Sequence, residues 1–145
     1  MSSSTAGRVL RAEVTAASLD PGAIAAQVGD DAAGAVVTFA GVVRDHDHGR
    51  AVTALDYTAH PSASEVIVAV CAEISAEYPA TRVAAVHRVG ALRIGDVAIV
   101  CAVASAHRAD AFAACARLVD ELKARLPIWK EQYFADGGSE WVGAL

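Results

Sequence analysis

Lysine is almost missing from this sequence. Its 145 residues hold two, Lys123 and Lys130, against ten arginines. Acidic residues outnumber basic ones, 17 to 12, for a net charge of −5, and the arginines form no block. That balance excludes a protein held on nucleic acid by charge alone. No apolar run reaches the length of a bilayer span. The opening "MSSSTAGRVLRAE" lacks a charged segment followed by an apolar one, so secretion is not expected and the cytoplasm is the expected compartment. Cysteine is scarce as well: Cys71, Cys101 and Cys115 are an odd number without CxxC spacing. Each lies in an apolar stretch ("IVAVCAEI", "AIVCAVA", "AFAACARLV"), the setting of a small buried hydrophobe. A sulfur-carrying thiolate would need exposure and basic neighbours. A P-loop, a nucleophile elbow and a paired-carboxylate pattern are also missing.

What is present is a composition 54% hydrophobic and rich in Ala and Val. That is enough for one domain over residues 1–145 with its own core. "RVLRAEVT" alternates and reads as a first strand. "DPGAIAAQVGD" reads as a short helix with Asp20 as its cap and Pro21 in its first turn. The Val-rich "GAVVTFAGVVR" and the alternating "AVTALDYTAH" are strands, and the polar loop "DHDHGR" between them is expected to join an antiparallel pair. His60-Pro61 reads as a turn into a helix from Pro61 to Tyr78, which stops before Pro79. "RVAAVHRVG" and "DVAIVCAVAS" are further strands around a turn region "GALRIGD". The longest amphipathic helix runs from Arg108 to Leu126, with Phe112, Cys115, Leu118, Val119, Leu122 and Leu126 on its apolar face and Pro127 ending it. "IWKEQYF" and "EWVGAL" close the chain as short strands. The sum is an α+β fold with a mainly antiparallel sheet and packed helices. A Rossmann-type fold is disfavoured, because no GxGxxG follows the first strand.

The two lysines raise the functional question, since a partly buried lysine can lose its proton where arginine cannot. Lys123 falls at the border of the last helix's apolar face, at about 100° per residue. Its amine either occupies a cleft or snorkels to solvent and complements the helix dipole, as Arg125 would. Lys130 shares a strand face with Ile128 and alternates with Trp129. If Trp129 packs on the core, Lys130 faces a cleft or solvent. His107 and Arg108, in "SAHRAD", stand where a strand meets the long helix, a corner suited to an anion, unless they merely cap it. Arg44 leaves a strand for a loop, after Gly41, which permits close backbone approach. The run Asp45-His46-Asp47-His48 invites a metal reading but has no third cluster at a set spacing, and a solvated loop is the simpler reading. His87, beside Arg88, reads as structural. The set Arg44, His107, Arg108, Lys123 and Lys130 suits an anionic substrate.

In order along the chain, "TFAGVVRDHDHGR", "HRVGALRIGD", "SAHRADAF" and "ELKARLPIWKE" closely resemble the large, catalytic subunit of molybdopterin synthase, from about Gly34 to Val142. The resemblance implies an α/β-hammerhead fold, no cofactor of its own and no metal. It implies sulfur transfer to cyclic pyranopterin monophosphate from the C-terminal Gly-Gly thiocarboxylate of a small ubiquitin-like subunit, forming molybdopterin. It also implies a homodimer core with a small subunit at each end, and no membrane partner. Carried over position by position, Lys123 is the catalytic lysine beside the thiocarboxylate and Lys130 the second functional lysine. His107 and Arg108 line the substrate pocket. Arg44, with the backbone of Val42 and Val43, contacts the phosphate across the dimer. Glu131 and Gln132 continue the substrate-binding set, where the family usually has a basic residue and then a glutamate. Two other readings stand beside this one: a non-enzymatic anion-binding or assembly module, and a sulfurtransferase working through one of the three cysteines.

Overall fold

The protein is described by a computed structural model over residues 8–143. Two stretches rich in Ala and Val set its centre. They are β5 (Thr81–Arg88) and β7 (Val97–Ser105), paired antiparallel and buried on nearly every residue. Such near-continuous apolar runs need cover on both faces. The first sheet runs in the order β1 (Arg8–Thr15), β5, β7, β2 (Ala35–Val42), with only the β1–β5 pair parallel. One face is covered by α1 (Pro21–Val28), whose Ile24 and Val28 pack on Ala84, Val86, Val100, Ala102 and Ala104. Asp20 does cap that helix, accepting from the Ala23 N–H at 3.2 Å. The other face takes α2 (Ala63–Glu77) and α3 (Arg108–Arg125), which bury Ile67, Val70, Cys71, Ile74, Ala114, Cys115, Leu118 and Leu122.

The second sheet is built on β4 (Arg50–Ala59). On one edge β4 pairs with β8 (Ile128–Phe134) and through it with β9 (Ser139–Gly143). It also pairs with the short β3 (His46–Asp47) and with β6 (Gly90–Arg93). Its inner residues Val52, Leu55, Tyr57, Ile128 and Phe134 join the same core as α2 and α3. The architecture is thus α+β and mainly antiparallel, with three helices and nine strands among the described residues.

Four expectations are corrected. The strands on either side of "DHDHGR" are not partners, because β2 pairs with β7 in one sheet and β4 belongs to the other. The loop instead folds on β4 as a hairpin, with β3 as its first arm. The segment "GALRIGD" is not turn alone: Leu92 is buried, and pairing with β4 makes Gly90–Arg93 a strand. Phe112 is 60% exposed, because α3 packs through Ala111, Ala114 and Cys115 and leaves the first-turn ring outside. Gly41 is required by packing rather than by a ligand, since a Cβ there would lie 2.6 Å from the Ile99 Cγ2 of β7. The last two residues of "EWVGAL" lie outside the described residues.

His87 ties the sheets together. It is fully buried on β5, meets the Tyr57 ring of β4 edge-on at 5.0 Å, and its Nδ1–H donates to the Arg88 carbonyl at 2.7 Å. Nε2 has no partner among the described residues, so protonation would bury an N–H without an acceptor there. Burial pushes the imidazole down to about 4, with the Arg88 carbonyl pulling the other way. An unfolded histidine titrates near 6.5, so between these values the unfolded chain binds the extra proton. Stability from neutral His87 is therefore complete above about pH 6.5 and is lost as pH falls toward 4. Urea titrations across that range should show a loss of roughly 3 kcal/mol, and His87→Phe should flatten the slope. An unchanged slope in His87→Phe would contradict this assignment.

Candidate active site

β8 alternates, and its register against β4 decides which side chains turn inward. Ile128, Lys130, Gln132 and Phe134 lie opposite Ala59, Tyr57, Leu55 and Val52. Ile128, Gln132 and Phe134 are buried, so Lys130, between the first two, is drawn into the same row and half-buried. Trp129 takes the other face and is 43% exposed, the reverse of a core-packed Trp129. Burial lowers the pKa of the Lys130 amine. Asp47 opposes that shift, while the cations Arg44 and Lys123 add to it, which also places all three within electrostatic reach of the amine.

Lys123 reaches this region from the last turn of α3. Its neighbour Arg125 is bound by Glu73 of α2, at 2.6 and 2.9 Å, and by Glu121 at 3.3 Å. Lys123 makes no ion pair among the described residues and lines a groove of about 390 Å³ with Leu126, Trp129 and Gly143. Arg44 stands just past β2 with its head 71% exposed, 3.4 Å from Asp47. The backbone of Val43 is already committed: its N–H donates to the Asp96 carbonyl at 2.9 Å and its carbonyl accepts from Gly95 at 2.8 Å. Val42 has an exposed side chain.

Two carried-over positions part company here. Gln132 is 3% exposed and donates from Nε2 to Asp47 Oδ2 at 2.8 Å. Glu131 points to the opposite face, where the Tyr133 hydroxyl meets it at 2.9 Å and Asp56 at 2.8 Å. The structure therefore groups Lys130, Lys123, Arg44 and Gln132 within one chain, so that Arg44 stands with the lysines of its own chain rather than across a dimer, and leaves Glu131 outside.

His107 and Arg108 are not in that group. His107 is the N-cap residue of α3 but makes no side-chain cap bond, and both side chains are exposed. Arg108 and Lys123 are 15 residues apart on one helix, about 22 Å at 1.5 Å per residue. One chain cannot bring them to one small ligand.

Asp47 is the residue that sequence reasoning missed. It was read with its neighbours as solvated loop or metal run, yet its side chain is only 15% exposed. The four residues do not converge: His46 bonds Asp45 at 3.0 Å, while His48 faces Asp47 at 3.6 Å. No group of three or more His, Cys, Asp or Glu arranged to hold a metal exists among the described residues. The signal available was Gly49, which with His48 forms a two-residue hairpin turn at positive φ (78° and 48°) and so turns Asp47 back along β4.

The cysteines are poor candidates for sulfur transfer. Burial pushes the Cys71 thiol up to about 12 and raises those of Cys101 and Cys115.

The match with known proteins follows this geometry. The family model described as MoaE protein matches residues 14–125. The molybdopterin synthase catalytic subunit of Nostoc sp. is 40% identical over 131 residues, covering 89% of this chain and 79% of its own. Molybdopterin synthase catalytic subunit 1 of Mycobacterium tuberculosis is 40% identical over 111 residues, 76% and 75% of the two chains. Among solved structures, molybdopterin synthase from Staphylococcus aureus superposes with a TM-score of 0.85 at 34% identity, covering 92% of this chain and 97% of that one. A complex of subunits 1 and 2 of molybdopterin-converting factor from Helicobacter pylori shares the fold at a TM-score of 0.66 and 17% identity, over 95% and 89% of the chains. These likenesses define a class, the catalytic subunits of molybdopterin synthases. The chain belongs to the MoaE protein family.

Because thiols react as thiolates, all three cysteines should resist iodoacetamide at pH 8 in the folded protein and react once it is unfolded in guanidinium. Rapid labelling of any of them in the folded chain, with loss of activity, would restore the cysteine-based reading.

Proposed function

We propose that this chain, as a single domain, is the catalytic subunit of molybdopterin synthase. It would move sulfur from the thiocarboxylated Gly-Gly tail of a small ubiquitin-like subunit to cyclic pyranopterin monophosphate. The observation that carries the reading is the pair of amines: Lys130, half-buried with a lowered pKa, and Lys123, unpaired among the described residues at the wall of a groove. A glycine tail has no side chains and suits the open groove of about 390 Å³ beside Lys123. Replacing oxygen by sulfur and opening a cyclic phosphate both develop negative charge, which fixed cations stabilise. Arg44, its head 71% exposed beside Asp47, supplies a guanidinium for the phosphate. Lys130, easier to deprotonate than a solvated lysine, accepts and returns protons. Glu131 stands apart from this constellation, and Gln132 serves it through Asp47.

His107 and Arg108 are proposed to act from the second chain of a homodimer. The edge strand β2 supports this, since it exposes Val36 (45%), Phe39 (36%) and Val42 (53%) beside Phe112 of α3. Apolar residues on an uncovered edge strand are a surface for a partner. β2 runs from the neighbourhood of Ala106 to that of Arg44, because Ala35 pairs with Ser105 and Val42 with Val97. A two-fold partner laid antiparallel along it would bring the His107 corner of one chain to the Arg44 end of the other. A small subunit as partner is supported by the two-subunit complex known for the Helicobacter pylori relative. Three free buried thiols, and no helix long and apolar enough to cross a membrane among the described residues, accord with a cytoplasmic protein.

The reading is tested by reconstitution: purified chain, thiocarboxylated small subunit and cyclic pyranopterin monophosphate, with product assayed as its fluorescent oxidised derivative. Wild type should form product, and Lys123→Ala and Lys130→Ala should each lower turnover at least about 100-fold, the scale of a lost proton-transfer group. Full activity in Lys123→Ala would remove its assigned role. Binding without conversion by the wild type would make the chain an anion-binding module instead.

A further inference from the structure

Asp47 occupies a place that its sequence context does not announce. The hairpin from β3 to β4 turns on His48 and Gly49, both at positive φ, and leaves Asp47 paired with Arg50. Only glycine adopts such angles freely, so the turn at His48 is held by what the hairpin gains elsewhere. One contact it gains is inward. Asp47 Oδ2 accepts from the buried Gln132 amide at 2.8 Å, a bond between residues 85 apart that pins the hairpin to β8. The other oxygen faces Arg44 at 3.4 Å and His48 Nε2 at 3.6 Å. Both carboxylate oxygens are thus engaged, and the side chain is 15% exposed where Arg44 and His48 are 71% and 87%.

Gln132 lies two residues along β8 from Lys130 and on the same face, at roughly 7 Å. A glutamine in that row has a donor to satisfy, and Asp47 satisfies it. The carboxylate so fixed is the counter-charge beside Lys130 and Arg44, and the Gln132 bond first, then His48, Lys130 and Arg44, hold its pKa lowered against the opposing effect of burial.

We propose that Asp47 is the positioning residue of this site: bonded to Gln132, it holds the hairpin against β8 so that Arg44 and the Lys130 amine face one anion-binding space at a set spacing. The inference rests on the reading of Lys130 as the proton carrier of a sulfur-transfer site. The groups that face Lys130 are Asp47 from the hairpin, itself flanked by the exposed His48, Arg44 from the segment after β2, Lys123 from α3, Tyr57 opposite on β4, and Gln132 on its own strand. Of these, Asp47 alone is an anion. Without it, two arginine and lysine charges face the amine unopposed and the guanidinium of Arg44 loses its anchor.

Asp47→Asn keeps the shape and an acceptor for Gln132 while removing the charge. In that variant the limb of the pH–kcat/KM profile that belongs to Lys130 should move about one unit toward acid, with a raised KM for the phosphate-bearing substrate. Asp47→Glu, which restores the charge, should bring the limb back. A second readout is independent of turnover. In protein labelled with [13Cε]lysine the two lysines give two resonances, assigned by Lys123→Arg. Titration of the full chain should show Lys130 deprotonating at lower pH in Asp47→Asn than in wild type. A Lys130 titration unmoved both in Asp47→Asn and in Asp47→Ser, which is too short to reach Gln132, at wild-type thermal stability would overturn the proposal. Asp47→Ser serves as the charge-removing variant should the Asn chain fail to fold. If wild type forms no product, the sulfur-transfer reading fails, while the lysine titration still decides the role of Asp47.

Discussion

The pairing of β8 with β4 puts Ile128, Lys130, Gln132 and Phe134 on one face, and three of those four are buried there. A strand cannot turn one side chain of a row away without turning them all. The aliphatic neighbours that fix the register are therefore what draw the Lys130 amine out of water. Desolvation then does what it does to any ammonium and makes the charged form less favourable. Arginine at that position would stay charged, which gives a physical reason for a lysine in a chain otherwise served by arginine. The polar consequence is settled next door, where buried Gln132 donates to Asp47 and the hairpin is fastened to the strand. Packing, electrostatics and loop position thus follow from one register.

Much of this was legible in the sequence, and the reasons differ by element. Asp20-Pro21, Pro79 and Pro127 bound helices because proline fixes the backbone and removes a donor, so these boundaries fell within a few residues. β7 is apolar from Val97 to Ala104, β5 carries the apolar run from Val83 to Val86, and β8 alternates, patterns that belong to strands whatever they pair with. Pairing itself is non-local. Nothing in "GAVVTFAGVVR" says that its partner is the strand ending at Ser105 rather than the one beginning at Arg50, so the sheets were not separable in advance. Phe112 was misplaced for a related reason. Helical periodicity gives an apolar face, but the edge of the sheet decides where cover runs out, and β2 is that edge.

The site was partly legible. The scarcity of lysine marked Lys123 and Lys130, and the ordered motifs gave their family. Asp47 was hidden because a polar residue in a polar run looks solvated until the hairpin folds it back onto Gln132. The exile of Glu131 was readable in principle, since adjacent strand residues face opposite ways. The departure of His107 and Arg108 from the lysines was also readable, for fifteen helical residues span about 22 Å. Set against an uncovered apolar edge at β2, that distance turns a list of cationic residues into a proposal about assembly: the substrate meets groups from two chains.

Complementation between two inactive variants tests that proposal most directly. Lys123→Ala and Arg108→Ala chains, with different affinity tags, would be coexpressed, the mixed dimer isolated, and its product formation measured with the thiocarboxylated small subunit. If each site takes its lysines from one chain and its Arg108 from the other, one site of the mixed dimer carries both substitutions and the other carries neither. Turnover should then return to about half that of the wild-type dimer, although each parent is inactive. A mixed dimer as inactive as its parents would place both groups on the same chain and contradict the two-chain site.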